Sequence, residues 1–474
     1  MAFTTLTFAL FLSPLLVLFL CAWPKALLGL LTLASYLFYA WAQPAYALLL
    51  LGITVATDFL GKQIAARESQ HTRKLMISVG VAANLALLGV FKYGGFAIDN
   101  LARLLRDLGI HSQPAPLSIA LPLGSSFITF RSISYLVDVF RRKIAPCRSF
   151  PLFALHLAYF PQIASGPIER ADQLIPQLEN IPSLREKILE RLPEAVSLFA
   201  LGWARKHFAD LLAPVSAALF DNPAGGSAAF AAFGVLAYGL QIYGDFAGYT
   251  NMAQGVSWLF GVRLVENFNL PYLAKDMDDF WRRWHISLST WIREYLHLPL
   301  SRKLLMWSQR RFLVALQAVS YLVTMSLIGL WHGASWNFVL WGTLHGSYLA
   351  VQHLYFKLGF PRLPKFPAWL LTQLCVFLAW IPFRAESSVA ASAVLKGLVR
   401  PGWTLPPLQF VYALAGLMIL DRLSHVRISG KSWFATRLPE HWRAGAWIAA
   451  CIWLFLVEYT IWGQQSAQFI YFQF

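Results

Sequence analysis

Apolar runs recur along almost the whole chain, near 6–23, 26–41, 44–60, 75–91, 117–138, 191–204, 228–243, 313–330, 334–354, 367–383, 408–421 and 444–463. Several are long enough to cross about 30 Å of hydrocarbon, which suggests about a dozen spans or half-spans. In lipid every backbone polar group must be satisfied within the protein, so runs of this kind fold as helices. Composition agrees: 57% of residues are hydrophobic and only 13% charged, and the mean hydropathy is +0.53. That leaves too little polar surface for a soluble globule of 474 residues. The expectation is an all-α polytopic membrane protein.

The net charge of +16 does not indicate nucleic acid, because the basic residues gather in the connections between runs, where they set orientation. Lys62, Arg67, Arg73 and Lys74 place one connection in the cytosol, and Arg141, Arg142, Lys143 and Arg148 another. Arg302, Lys303, Arg310 and Arg311 mark a third, and Arg422, Arg427, Lys431, Arg437 and Arg443 the last. Counting spans from these loops puts both termini on the extracytoplasmic side. The stretch Met1–Leu20 lacks a basic leader and a small-residue cleavage site, so it reads as a first span and not as a removed signal. Cys21, Cys147, Cys375 and Cys451 are scattered, without the spacing of a disulfide framework or a zinc site.

Residues 326–346, SLIGLWHGASWNFVLWGTLHG, place His332 between two apolar segments. An ionisable side chain at such a depth is costly unless it serves a function, so His332 is a candidate site residue. His345 follows thirteen residues later, roughly 20 Å away if one helix continues, and is expected to be structural. Residues 275–300, KDMDDFWRRWHISLSTWIREYLHLPL, read as an interfacial amphipathic helix. Trp281, Trp284, His285, Leu288, Trp291, Ile292 and Tyr295 form its apolar stripe, and Asp278 with Arg282 and Asp279 with Arg283 are spaced as i,i+4 pairs. Arg282 and Arg283 suit either lipid headgroups or an anionic donor. His285 lies on the tryptophan stripe, as a core histidine or a functional one. Asp245, in LQIYGDFAGYTNMAQ, is expected to cap a helix start or pair with an arginine, with proton transfer as the alternative. FPQIASGPIER at 160–170 reads as a Pro/Gly-broken re-entrant loop. No internal repeat is visible, which weakens an inverted-repeat transporter.

Four stretches together resemble the membrane-bound O-acyltransferase (MBOAT) family, in its bacterial branch that acetylates alginate and related polysaccharides. They are LPLGSSFITFRSISYLVDVFR at 121–141, FPQIASGPIER at 160–170, the segment 241–296 containing WRRWHISLSTW, and GLWHGASWNFVLWGTLHG at 329–346. The resemblance implies a single membrane domain over 1–474, with N-terminal spans to 116, a catalytic core over 117–356, and C-terminal spans and tail over 357–474. Its architecture would be a bundle of transmembrane and re-entrant helices around a central channel. By position His332 matches the family's catalytic histidine and His285 its second histidine, whereas Asn251 stands where the branch more often has an acid.

Acyl transfer from a thioester to a hydroxyl needs a base, for which histidine is the usual choice. The resemblance implies that His332 fills that role and that His285 orients the acceptor, assists proton movement or stabilises the oxyanion. It implies acetyl-CoA as the donor and no metal, and a bacterial inner-membrane location. The expected partners are the lipid bilayer, the polysaccharide biosynthesis and export machinery, and a periplasmic acetyltransferase-like protein that takes up the acyl group. The acceptor could equally be cellulose or peptidoglycan, and a non-catalytic export component is the rival reading. The final residues, QSAQFIYFQF, resemble the C-terminal motif of the companion peptide in teichoic-acid D-alanylation. Tyr471 is accordingly a candidate acyl relay, with an aromatic interface anchor of Phe469, Tyr471, Phe472 and Phe474 as the alternative.

Overall fold

The computed structural model describes residues 2–41, 43–110, 121–309, 311–428 and 470, and among these the regular structure is helical, with no strand. Two compact units emerge, one from the described parts of Met1–Ala195 with Val256–Val265, the other from those of Val196–Gly255 with Glu266–Phe474. The expected span 444–463 lies outside the described residues.

The first unit contains α1 (Leu6–Cys21), α2 (Leu27–Ala40), α3 (Pro44–Ala66), α4 (Gln70–Leu88), α5 (Gly94–Asp107) and α6 (Ser125–Phe140). The shorter α7 (Phe150–Ala158), α8 (Phe160–Ile163), α9 (Ala171–Glu179) and α10 (Ile181–Leu184) follow. A π-turn over Gly89–Tyr93 joins α4 to α5, and the pair forms a continuous apolar stretch, Gln70–Asp107. Small residues let α6 sit close to α3 and α4: a Cβ on Gly61 would lie 2.6 Å from the Tyr135 ring, and one on Gly80 2.8 Å from Leu136. The segment 160–168 is buried throughout, and its helical part ends after four residues. Irregular backbone at membrane depth survives only under such cover. After α6, Lys143 pairs with Asp172 at 2.7 Å and with Asp138 at 3.5 Å.

Two long helices, α11 (Ile188–Phe220) and α12 (Ala228–Leu259), supply residues to both units. The second unit continues with α13 (Met277–Arg283), α14 (Ile286–Ile292), α15 (Leu298–Trp307), α16 (Leu313–His332), α17 (Trp336–Lys357), α18 (Lys365–Arg384), α19 (Ser388–Gly397) and α20 (Leu408–Ile428). Within it α11, α12 and α20 share an apolar core of Leu211, Leu212, Val215, Ala237, Phe410, Ala413 and Leu417.

Four described helices are long and apolar enough to cross a bilayer: Pro44–Ala66, Gln70–Asp107, Leu313–His332 and Lys365–Arg384. Among the described residues, length and apolarity thus do not confirm the figure of about a dozen spans or half-spans. The reason is visible in α11 and α12, long enough to cross at 33 and 32 residues but interrupted by buried Arg205, Lys206, Asp245 and Asn251. Large apolar side chains such as Leu48, Phe59, Val79, Val323 and Leu371 lie on the outer surface, as lipid-facing residues must.

Candidate active site

His332 is the last residue of α16. The chain then turns back through extended Gly333 to Ser335, whose side chain accepts from the Asn337 N–H at the start of α17. The two helices form an antiparallel hairpin because their facing positions are glycines. A Cβ on Gly329 would fall 2.1 Å from the Phe338 carbonyl oxygen, and one on Gly342 2.1 Å from that of Met325. Such close backbone approach is how membrane helices associate without a hydrophobic driving force between them. The buried His332 ring is edge-on to Trp331 (4.8 Å between centroids), Trp341 (5.0 Å) and Phe383 (5.1 Å).

His285 arises differently. The expected continuous amphipathic helix is broken: Trp284 is extended and His285 adopts φ +43°, so α13 stops and α14 starts afresh. A left-handed backbone at a non-glycine residue is held only by its surroundings. Here Asn267 does so, accepting from the Ile286 N–H through its carbonyl (2.9 Å), and from the Ser287 N–H (3.1 Å) and hydroxyl (2.8 Å) through its side chain. The His285 ring packs edge-on to Phe246 at 4.7 Å and lies 6.4 Å from Trp331. His285 lies outside the four candidate spans, and burial pushes its pKa below the ordinary imidazole value, so the ring is neutral. Trp331 therefore borders both histidines. Of the two spaced ion pairs, Asp279 and Arg283 meet at 2.8 Å, whereas Asp278 accepts from Gln352.

The distance expected between His332 and His345 is overturned. With the chain reversed at residues 333–335, both rings contact the same indole, Trp341, at 5.0 and 4.8 Å. His345 also packs against Trp281 and Phe280.

Helices α11, α12 and α20 also enclose a polar network around Asn251 and Asp245, in which Arg205, Lys206, Tyr243, Asp421 and Ser424 were not foreseen from the sequence. Arg205 donates to Asn251 (2.5 Å), Asp421 (2.7 Å) and Ser424 (2.8 Å), and the Tyr243 hydroxyl donates to the same Asp421 oxygen at 2.7 Å. Asn251 is thus a neutral acceptor for Arg205, and Asp421 provides the carboxylate. Asp245 sits in mid-helix, so it caps no helix start, and its cation is a lysine: Lys206 Nζ approaches at 3.2 Å and also pairs with Asp210. The charged run ARKHFAD inside an apolar helix was the available signal. A glycine crossing aligns these residues, since a Cβ on Gly202 would meet the Gly248 carbonyl oxygen at 2.4 Å. Tyr471 lies outside the described residues, but its neighbour Ile470 is placed, with its N–H donating to Asp245 at 2.7 Å.

Residues 142–381 match the family model described as MBOAT, the membrane-bound O-acyltransferase family. The probable alginate O-acetylase AlgI of Pseudomonas aeruginosa is 37% identical over 80% of this chain and 71% of its own length. The chain belongs to the membrane-bound O-acyltransferase family. This MBOAT protein is also similar to the peptidoglycan O-acetyltransferase of Helicobacter pylori, 34% identical over 78% of the chain and 73% of that protein. The teichoic acid D-alanyltransferase of Streptococcus thermophilus is 30% identical over 50% of the chain and 57% of that protein. Membership makes the chain a membrane-embedded O-acyltransferase. Within the MBOAT match lie His285, His332, His345 and the Lys206–Asp245 pair.

Proposed function

We propose that this MBOAT enzyme moves acetyl from cytosolic acetyl-CoA across a bacterial inner membrane for O-acetylation of an extracytoplasmic polysaccharide such as alginate. The observation that carries the reading is that His332 and His285, far apart in sequence, border one indole, Trp331, inside a buried aromatic enclosure. Kinship to proteins named for O-acetylation supports the chemistry. In the proposed transfer His332 takes the proton of the attacking hydroxyl as its oxygen bonds the acetyl carbon. The C–S bond of the thioester breaks, and the proton passes to the leaving sulfur. Neutral His285 is suited to donate a hydrogen bond to the developing oxyanion or to hold the acceptor oxygen. Tyr471 would be the first acceptor and would deliver acetyl to a periplasmic acetyltransferase-like partner beside the polysaccharide export machinery, with both termini extracytoplasmic.

The decisive experiment is His332→Ala. Loss of a general base lowers turnover by about 10²–10⁴-fold, so the polymer from cells carrying this variant should contain essentially no O-acetyl while the purified protein keeps its elution volume and melting temperature. Appreciable polymer acetylation would reject His332 as the base. Comparing acetyl on alginate and on peptidoglycan from the same cells identifies the acceptor.

A further inference from the structure

Asp245 is buried in the middle of α12, and what meets its carboxylate is unusual for a helix core. One oxygen accepts the backbone N–H of Ile470 at 2.7 Å, a donor 225 residues away in the chain. The other lies 3.2 Å from Lys206, a cation it shares with Asp210. Arg205, next to Lys206, is engaged by Asp421, Asn251 and Ser424. Ile470 is itself only 5% exposed, so its side chain is enclosed as well as its N–H. The residue after Asp245 is Phe246, whose ring packs at 4.7 Å on His285.

We infer that Asp245 and Lys206 form a receptor for a main-chain segment, that its occupant is the C-terminal segment of this same chain, and that Asp245 is a positioning residue on which acyl transfer depends. Lys206 offsets part of the cost of burying the carboxylate, and the carboxylate takes the N–H that fixes residue 470 beside α12. The dependence of transfer on this contact rests on the relay reading above, while the receptor itself does not.

The test separates the backbone N–H from everything around it. Ile470→Pro removes that donor and leaves Asp245, Lys206 and the helical core intact; Ile470→Val keeps it; Asp245→Ala removes the acceptor. Purified full-length proteins are exposed to a carboxypeptidase and their C-termini followed by intact-mass spectrometry, beside polymer acetylation in cells. Release of residues 472–474, which precedes any cleavage at the introduced proline, should be at least tenfold faster in Ile470→Pro and Asp245→Ala than in wild type and Ile470→Val, with Ile470→Pro melting within a few degrees of wild type. Polymer acetylation should fall in the same two variants alone. Equal trimming of Ile470→Pro and wild type would overturn the receptor, and full acetylation by a rapidly trimmed Ile470→Pro would overturn the positioning role. If Tyr471→Phe acetylates fully while Ile470→Pro does not, the relay reading fails and the receptor stands.

Discussion

His285 and His332 reach their places by different physical means. At the end of α16 His332 needs only a reversal of the chain, and its importance is legible because an ionisable residue in an apolar run carries a cost that something must offset. His285 was visible on its tryptophan stripe, but the helix break that aims it was not. Its φ of +43° at a histidine has no local signature, and Asn267, which stabilises the break, lies well outside the stripe. The same blindness hid Asp421 as the carboxylate for Arg205, since their pairing spans α11 to α20. His285→Ala removes a ring that touches Phe246 and Trp331 but leaves the Asn267 contacts, which are made by residues 286 and 287. Acetylation should therefore drop at least tenfold with the melting temperature lowered by only a few degrees. Parallel loss of activity and stability would favour a core histidine.

Among helices, the apolar runs foretold nearly every long one: the runs near 44–60, 313–330 and 367–383 correspond to α3, α16 and α18. What periodicity could not supply was where helices stop. The segment 275–300 became α13, α14, a π-turn and α15, because those ends are set by partners distant in sequence. Reversal at residues 333–335 likewise brought His332 against the Trp341 ring, which His345, one turn further along α17, also contacts. The hairpin of α16 and α17 is tight enough to test. A Cβ on Gly342 would meet the Met325 carbonyl carbon and oxygen, backbone atoms that cannot rotate away. Gly342→Val should cost about 1–3 kcal/mol, read as a lower melting temperature, with acetylation falling alongside. Gly52 on α3 has no atom within 4 Å of a built Cβ, so Gly52→Ala should be neutral or slightly stabilising.

For the molecule as a whole, the proposed function sets a problem of sides: the donor is cytosolic and the acceptor polymer lies beyond the membrane. A tyrosine relay answers it with one hydroxyl, and Tyr471→Phe deletes that hydroxyl while keeping an aromatic ring for the interface. Polymer acetylation should stop in this variant, and mass spectrometry of the C-terminal peptide from cells lacking the periplasmic partner should find acetyl on Tyr471 in wild type and none in His332→Ala. Full acetylation by Tyr471→Phe would leave the tail as an anchor. One consequence of the α16–α17 hairpin concerns biogenesis. Its glycine contacts join residues close in sequence, so a nascent chain emerging as far as Lys357 can already zip the two helices and present His332 at their turn. Phe383 on α18 closes over the ring only afterwards, so the enclosure is completed after the hairpin has been made.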